Sequence, residues 1–234
     1  MVTNDIKKNI EIIRQRIELS LKKSNRKEKE VKLMAVSKFH PIEKMLIASS
    51  FVDLFGENRV QEAEDKSLLW PEENSVPWHL IGPLQRNKVR KAVSIFDLIE
   101  SVDTLKLAET INRVAKEQNV RKYPIFIEVN MSDERSKIGI APEGAEELMS
   151  DIMEKCPHIS IEGLMTIGPN TNDVKLIRKA FEGLRNKRDF LRTQLGLELP
   201  ELSMGMSGDF EFAIEAGSTI VRLGTSIFGD RNNN

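Results

Sequence analysis

Eight short β-rich runs alternate with helical patterns from about residue 31 to the C-terminus, the chain order of repeated βα units around a parallel sheet. The runs cover residues 31–37, 52–57, 77–82, 96–100, 124–130, 159–167, 201–206 and 219–223. Between them, helical spacing marks 42–50, 59–67, 86–93, 104–118, 143–155, 173–195 and 209–217. Pro41 and Pro142 suit first-turn positions, and Asp103 or Thr104 can cap the helix after the fourth run. A unit recurs about every 25–30 residues with no Gly/Ser- or Pro-rich linker, and 234 residues suit one α/β barrel. The expected fold class is therefore α/β, a single (β/α)8 barrel of the triosephosphate-isomerase type. An open doubly wound sheet is the alternative.

Ahead of the barrel, Ile6, Ile10, Ile13, Ile17 and Leu21 recur at three- and four-residue spacing among charged residues. That pattern predicts an additional N-terminal helix with one buried face. Residues 1–30, helix and connecting loop, are expected to pack on a barrel of residues 31–230 as one structural domain. The Asn232–Asn234 tail reads as disordered.

Charge narrows the function classes. Lys plus Arg number 35 against 36 for Asp plus Glu, so no global field attracts nucleic acid or an anionic membrane, and neither is expected as a partner. The N-terminus lacks the apolar core and cleavage site of a secretory signal. No apolar run approaches the roughly 18 residues that suggest a membrane span. With a single cysteine, Cys156, no internal disulfide forms, which fits a reducing compartment. Cytoplasmic residence is the expectation. The Asn-Met-Ser triplet at Asn130 matches a glycosylation acceptor by spelling only.

Chemistry is sharpest at LMAVSKFHP, residues 33–41, where an apolar strand ends in Lys38. A lysine partly desolvated by apolar neighbours loses proton affinity and can attack a carbonyl to form a Schiff base. Pyridoxal phosphate is the commonest carbonyl cofactor held that way. The competing reading is a lysine whose stem lies along the strand end with its charge in water. In barrels of this type chemistry sits at the C-terminal strand ends, and a phosphate is often held after strands seven and eight. There the chain reads SMGMSGDF (203–210) and VRLGTSIFG (221–229). Ser207 with Gly208, and Gly224 with Thr225, can offer N–H groups and hydroxyls to a phosphate. Ordinary turns use the same residues.

Strand alternation puts Arg222 on the face of Ile220, toward the barrel interior, and Val221 and Leu223 toward the helices. A guanidinium near a pyridine nitrogen donates a hydrogen bond and leaves that nitrogen unprotonated, which makes a weak electron sink. A structural ion pair is the competing role. Asn58, within FGENRVQEAEDK (55–66), suits a cofactor amide contact and a helix cap equally. His79, in WHLIGPLQRNK (78–88), could bear on a ring or be a satisfied core histidine. Glu100, Glu128 and Glu162 lie in or beside strands without metal-ligand spacing, and His40 and His158 sit near prolines. The basic run at 86–91 reads most simply as a solvated helix face, with an anion or partner role as the alternative because it overlaps a ligand-facing loop.

Taken together, AVSKFHP, FGENRVQEA, WHLIGPLQRNK, IEVNMSDERSKIGI, IEGLMTIGP and LSMGMSGDFEFAIEAGSTIVRLGTSIFG resemble the pyridoxal-phosphate homeostasis protein family. The resemblance implies a barrel similar to the N-terminal domain of alanine racemase, with pyridoxal 5'-phosphate held as a Schiff base on Lys38. It also implies phosphate contacts near Ser207, Gly224 and Thr225, with Arg222 near the pyridine nitrogen. Arg59 departs from the frequent aromatic residue, and His40 is a second departure. The family implies a carrier or regulator of cofactor supply without an established turnover, for which pyridoxal-phosphate-dependent apo-enzymes are candidate recipients, and an uninterrupted barrel lacking the racemase's second domain makes a monomer the expectation. Amino-acid racemization is the alternative, and a barrel that uses its lysine as an aldolase does is a third class. A racemase of this kind opposes its lysine with a tyrosine from a second domain. Here the only tyrosine, Tyr123, is expected at the start of strand five, away from the cofactor, which leaves His79 as the substitute.

Overall fold

The computed structural model describes residues 2–132 and 138–229. Residues 133–137, inside the IEVNMSDERSKIGI segment, and the Asn232–Asn234 tail lie outside the described residues. The first half of the chain runs α1 (Val2–Lys23), β1 (Lys32–Val36), α2 (Ile42–Ala48), β2 (Leu54–Glu57), α3 (Val60–Ser67), β3 (Trp78–Leu80), α4 (Val89–Ile95), β4 (Leu98–Val102) and α5 (Leu105–Glu117). The second runs β5 (Tyr123–Glu128), α6 (Ala145–Lys155), β6 (Ile159–Met165), α7 (Val174–Leu195), β7 (Glu201–Ser203), α8 (Phe210–Ala216), β8 (Ile220–Leu223) and α9 (Thr225–Phe228). The eight strands pair in chain order, all parallel, and β8 closes on β1 with Met34 beside Arg222 and Ala35 beside Leu223. The expected closed barrel is the fold, and the doubly wound alternative is excluded.

Period-two alternation splits the core into two shells. Met34, Val36, Leu54, Leu98, Phe126, Met165 and Ile220 fill the barrel. Leu33, Ala35, Phe55, Ile99, Ile125, Ile127, Val221 and Leu223 face outward into the helical layer. The isoleucine stripe of α1 is buried as its spacing predicts, against α2 and α8. Around that seam, Arg16 Nε donates to Glu211 Oε1 at 2.7 Å, Lys23 Nζ to Glu215 Oε1 at 2.6 Å, and Asn9 Nδ2 to the Ile227 carbonyl at 3.0 Å.

Three elements depart from the sequence expectation. The fourth strand runs Leu98–Val102 instead of 96–100, because Phe96 ends α4 and Asp97 Oδ2 accepts the Trp78 N–H at 2.8 Å. The helix expected at 86–93 opens as a 3-10 turn at Arg86–Lys88, and α4 follows it. α9 has only four residues, too few to show a period in sequence. Within the basic run at 86–91, Arg90 bridges to Glu117, and Lys91 Nζ lies 2.5 Å from Glu64 Oε1.

Tyr123 opens β5, buried, with its hydroxyl donating to the Phe96 carbonyl at 2.7 Å. It therefore ties the strand's start to the end of α4, at the opposite end of the barrel from the strand C-termini. Tyr123→Phe leaves a buried carbonyl without its donor and is expected to cost about 1–2 kcal/mol in urea unfolding. An unchanged midpoint would show that the bond carries no net stability. Among the described residues, no helix is long and apolar enough to cross a membrane.

Candidate functional site

A cavity of about 500 Å³ opens at the C-terminal ends of the strands, inside the roughly 300–1,000 Å³ range of small-molecule sites. Lys38, Asn58, Ser207, Arg222, Gly224 and Thr225 all line it. These residues come from the ends of β1, β2, β7 and β8, so the closed parallel barrel brings together positions 187 apart in the chain, from Lys38 to Thr225. A larger groove, about 1090 Å³, runs along α7, and none of these six residues lines it.

Lys38 sits two residues past the end of β1, half-buried, beside Val36. Asn58 follows β2, and Gly82 packs against it so closely that a Cβ at 82 would lie 2.3 Å from the Asn58 carbonyl oxygen. Only glycine permits that approach. The N-cap of α3 is Arg59, which makes no side-chain cap hydrogen bond. Asn58 therefore belongs to the cavity wall and not to a helix cap. The Arg59 guanidinium lies 5.5 Å from the centre of the Phe39 ring, a cation–π contact beside Lys38.

Two turns face Lys38's cavity from β7 and β8. The first is shaped by Gly205, whose φ is +98° and where an added Cβ would lie 2.6 Å from the Ala213 Cβ, so no side chain fits. Asp209 Oδ1 then accepts the Met206 N–H at 2.6 Å, closing the loop that presents Ser207 and Gly208. Burial pushes the Asp209 carboxyl up, and that backbone donor and Arg222 oppose the shift. In the second turn Gly224 precedes α9, and Thr225 is the helix's first residue. The leading N–H groups of a helix have no acceptors within it, so this second turn offers backbone donors beside the Thr225 hydroxyl.

Arg222 is almost wholly buried in the wall of the cavity. Its Nη1 donates to Ser203 Oγ at 2.9 Å and its Nη2 to the Thr166 carbonyl at 2.8 Å. Ser203 Oγ in turn donates to Glu100 Oε2 at 2.5 Å, and Glu100 Oε1 lies 2.7 Å from His79 Nδ1. This chain fixes the plane of the guanidinium. Burial pulls the Arg222 pKa down, while Glu100, Glu128 and Asp209 hold it up.

His79 is the one expected site residue that the cavity does not reach. It lies on the interior end of this chain, edge-on to Phe126 at 6.1 Å, as a satisfied core histidine. The Glu100 carboxylate holds its ring inside the barrel, and the cavity lining does not include it. Among the lining residues without a cofactor role in the sequence reading are two titratable ones. His40, a departure from the family pattern in sequence, is buried against Phe228 with ring centres 4.8 Å apart. Glu128, the last residue of β5, is buried in the wall, and desolvation, with Asp103 and Glu100 nearby, pushes its carboxyl up to about 7 against the pull of Arg222. Its signal was available, because Phe126 and Glu128 share the inward face of one strand.

Comparison with known proteins agrees with this fold. The family model described as "Alanine racemase, N-terminal domain" matches residues 3–232. The pyridoxal phosphate homeostasis protein of Haemophilus influenzae is 39% identical over 231 residues, 97% of each chain. A solved structure of a Bifidobacterium adolescentis protein superposes with a TM-score of 0.88 at 36% identity, covering 97% of this chain and 95% of the other. PipY of Synechococcus elongatus, solved with pyridoxal phosphate bound, gives a TM-score of 0.79 at 36% identity, with 93% and 100% coverage.

Proposed function

Because this chain belongs to the pyridoxal phosphate homeostasis protein family, built on the alanine racemase N-terminal domain, we propose that it holds pyridoxal 5'-phosphate as a Schiff base on Lys38 and serves intracellular supply of the cofactor, without a turnover reaction. The observation that carries the reading is the meeting of Lys38, Arg222 and two hydroxyl-bearing turns around one cavity. Bound there, the cofactor supplies an aldehyde for an amine to capture and a ring that withdraws electrons. Lys38 is the amine. Ser207, Gly208, Gly224 and Thr225 receive the phosphate with N–H and O–H donors. Asn58 offers its amide from the β2 side.

Arg222, with its guanidinium plane held by Ser203 and Thr166, takes the ring nitrogen as a hydrogen-bond acceptor. A guanidinium gives up no proton there, so the ring stays a weak electron sink, which suits retention of the cofactor better than carbanion chemistry. In this reading the protein is a cytoplasmic monomer that passes cofactor to pyridoxal-phosphate-dependent apo-enzymes.

The test is visible absorbance with added pyridoxal phosphate, borohydride reduction and mass mapping of the modified peptide. An adduct on Lys38 is expected, and its absence overturns the reading. Thr225→Ala is expected to weaken retention about 10–100-fold, the worth of one hydrogen bond to a charged group. Equilibrium dialysis measures it, and unchanged affinity would remove Thr225 from the phosphate site. Racemization gains one specific observation: β5 stands four strands from β1 in either direction around the barrel, so Glu128 and Lys38 line the cavity from opposite sides. Solvent deuterium at the α-carbon of an amino acid, lost in Glu128→Gln, would favour that activity over simple retention. No exchange is the expected result.

A further inference from the structure

Most of FGENRVQEAEDK has no place in the cavity. Glu57 ends β2, and Glu62 and Lys66 stand one turn apart on α3, all behind the wall that carries Lys38. Lys66 Nζ donates to Glu57 Oε1 at 2.6 Å, to Glu62 Oε1 at 2.7 Å and to the Ser37 carbonyl at 2.9 Å. Its three N–H donors are thus all engaged. Ser37 is held twice more, its Oγ donating to Glu57 Oε1 at 2.7 Å and its N–H to the Gly56 carbonyl at 3.1 Å. On the other side of Lys38, the Phe39 N–H donates to Glu62 Oε1 at 2.5 Å. Phe39 has a φ of +65°, a left-handed conformation that side chains rarely adopt.

Both neighbours of Lys38 in the chain are therefore tied to one charged cluster, and the strained residue is the one beside the lysine. We propose that Glu57, Glu62 and Lys66 are positioning residues for Lys38, fixing the backbone on each side so that its amine is directed into the cavity. The inference rests on the reading of Lys38 as the covalent anchor. Burial argues the same way. Glu57 is fully buried with one oxygen, Oε2, lacking a hydrogen-bond partner, and its carboxyl is pushed up by desolvation while Lys66 opposes the shift. A buried ion pair adds little stability over apolar packing of the same volume, so an imperfectly satisfied one at this place is better explained by the geometry it imposes.

Glu62 is the informative position, because its side chain is partly exposed and its loss leaves Lys66 paired with Glu57. Glu62→Ala is expected to slow adduct formation on Lys38 about tenfold, the scale of a small misplacement of a reacting group. Glu62→Gln, which keeps an acceptor oxygen for Phe39, is expected to recover most of the rate. Lys66→Met is expected to slow it further, with a thermal melt reporting whether that variant folds. Amide hydrogen exchange at Phe39 in the cofactor-free protein gives an independent readout, with protection lost in Glu62→Ala and kept in Glu62→Gln. Unchanged adduct rate despite lost protection, or unchanged protection in Glu62→Ala, overturns the proposal. If the wild type forms no adduct on Lys38, the anchor reading fails on its own. The cluster is then judged by the rate at which formaldehyde and cyanoborohydride methylate Lys38. A slower rate in Glu62→Ala supports positioning, and equal rates overturn it.

Discussion

Lys38→Ala is expected to abolish the covalent adduct outright, with loss of the visible band and of cofactor retention through dialysis. The expectation is absolute because of what else surrounds the cavity. Lys38 is the only lysine among the described residues that line it. The other cation in the wall, Arg222, keeps its proton in proteins and forms no imine. Lys66 lies behind the wall with its three N–H groups engaged by Glu57, Glu62 and the Ser37 carbonyl. What survives is non-covalent affinity from the turns at Ser207 and Thr225, which a phosphate-bearing analogue without an aldehyde would measure. Borohydride reduction and peptide mapping provide the check. A full equivalent of adduct on another lysine in the variant would move the anchor away from β1.

Glu128→Gln is expected to change the protein's pH–stability profile as strongly as a core mutation. The Glu128 carboxyl is pushed up to about 7 from an ordinary 4.5, chiefly by desolvation. Between those values the folded protein binds a proton that the unfolded chain has released, so stability falls as pH rises through the window. The contribution is intact below about 4.5 and gone above about 7. A shift of this size corresponds to about 3 kcal/mol. Glutamine removes the titration, so the cofactor-free variant should match the wild type near pH 4.5 and exceed it by up to about 3 kcal/mol at pH 8. Urea unfolding at the two pH values decides it. Parallel profiles would mean that Glu128 ionises at no cost inside the wall, and the desolvation argument would fall with them.

How much of this was legible in sequence follows physical lines. Periodicity is a local property, so the alternation of β-rich and helical runs named the barrel, and the α1 stripe named the buried face of its helix. Alternation likewise placed Arg222 inside and Val221 and Leu223 outside, as the two cores confirm. Lys38, Ser207, Gly224 and Thr225 were found because strand ends of a parallel barrel share one face. Depth along a strand was not legible. His79 and Glu128 both point inward, but His79 is mid-strand and pinned by Glu100, whereas Glu128 is terminal and meets the cavity. Their sequence environments do not report how far the cavity reaches.

The chain by itself determined the architecture, the lysine and the two turns, because hydrophobic period, strand ends and small-residue turns depend on residues near one another in sequence. Only the tertiary structure decided which charges meet. It joined His79 to Arg222 through Glu100 and Ser203, and it set Glu128 across from Lys38. It also folded α3 back so that Lys66 could grip Ser37 while Glu62 holds Phe39. The Ser203–Glu100 bond joins residues 103 apart in the chain, and the other hydrogen bonds join neighbouring βα units, so each depends on how elements pack and not on residues adjacent in sequence.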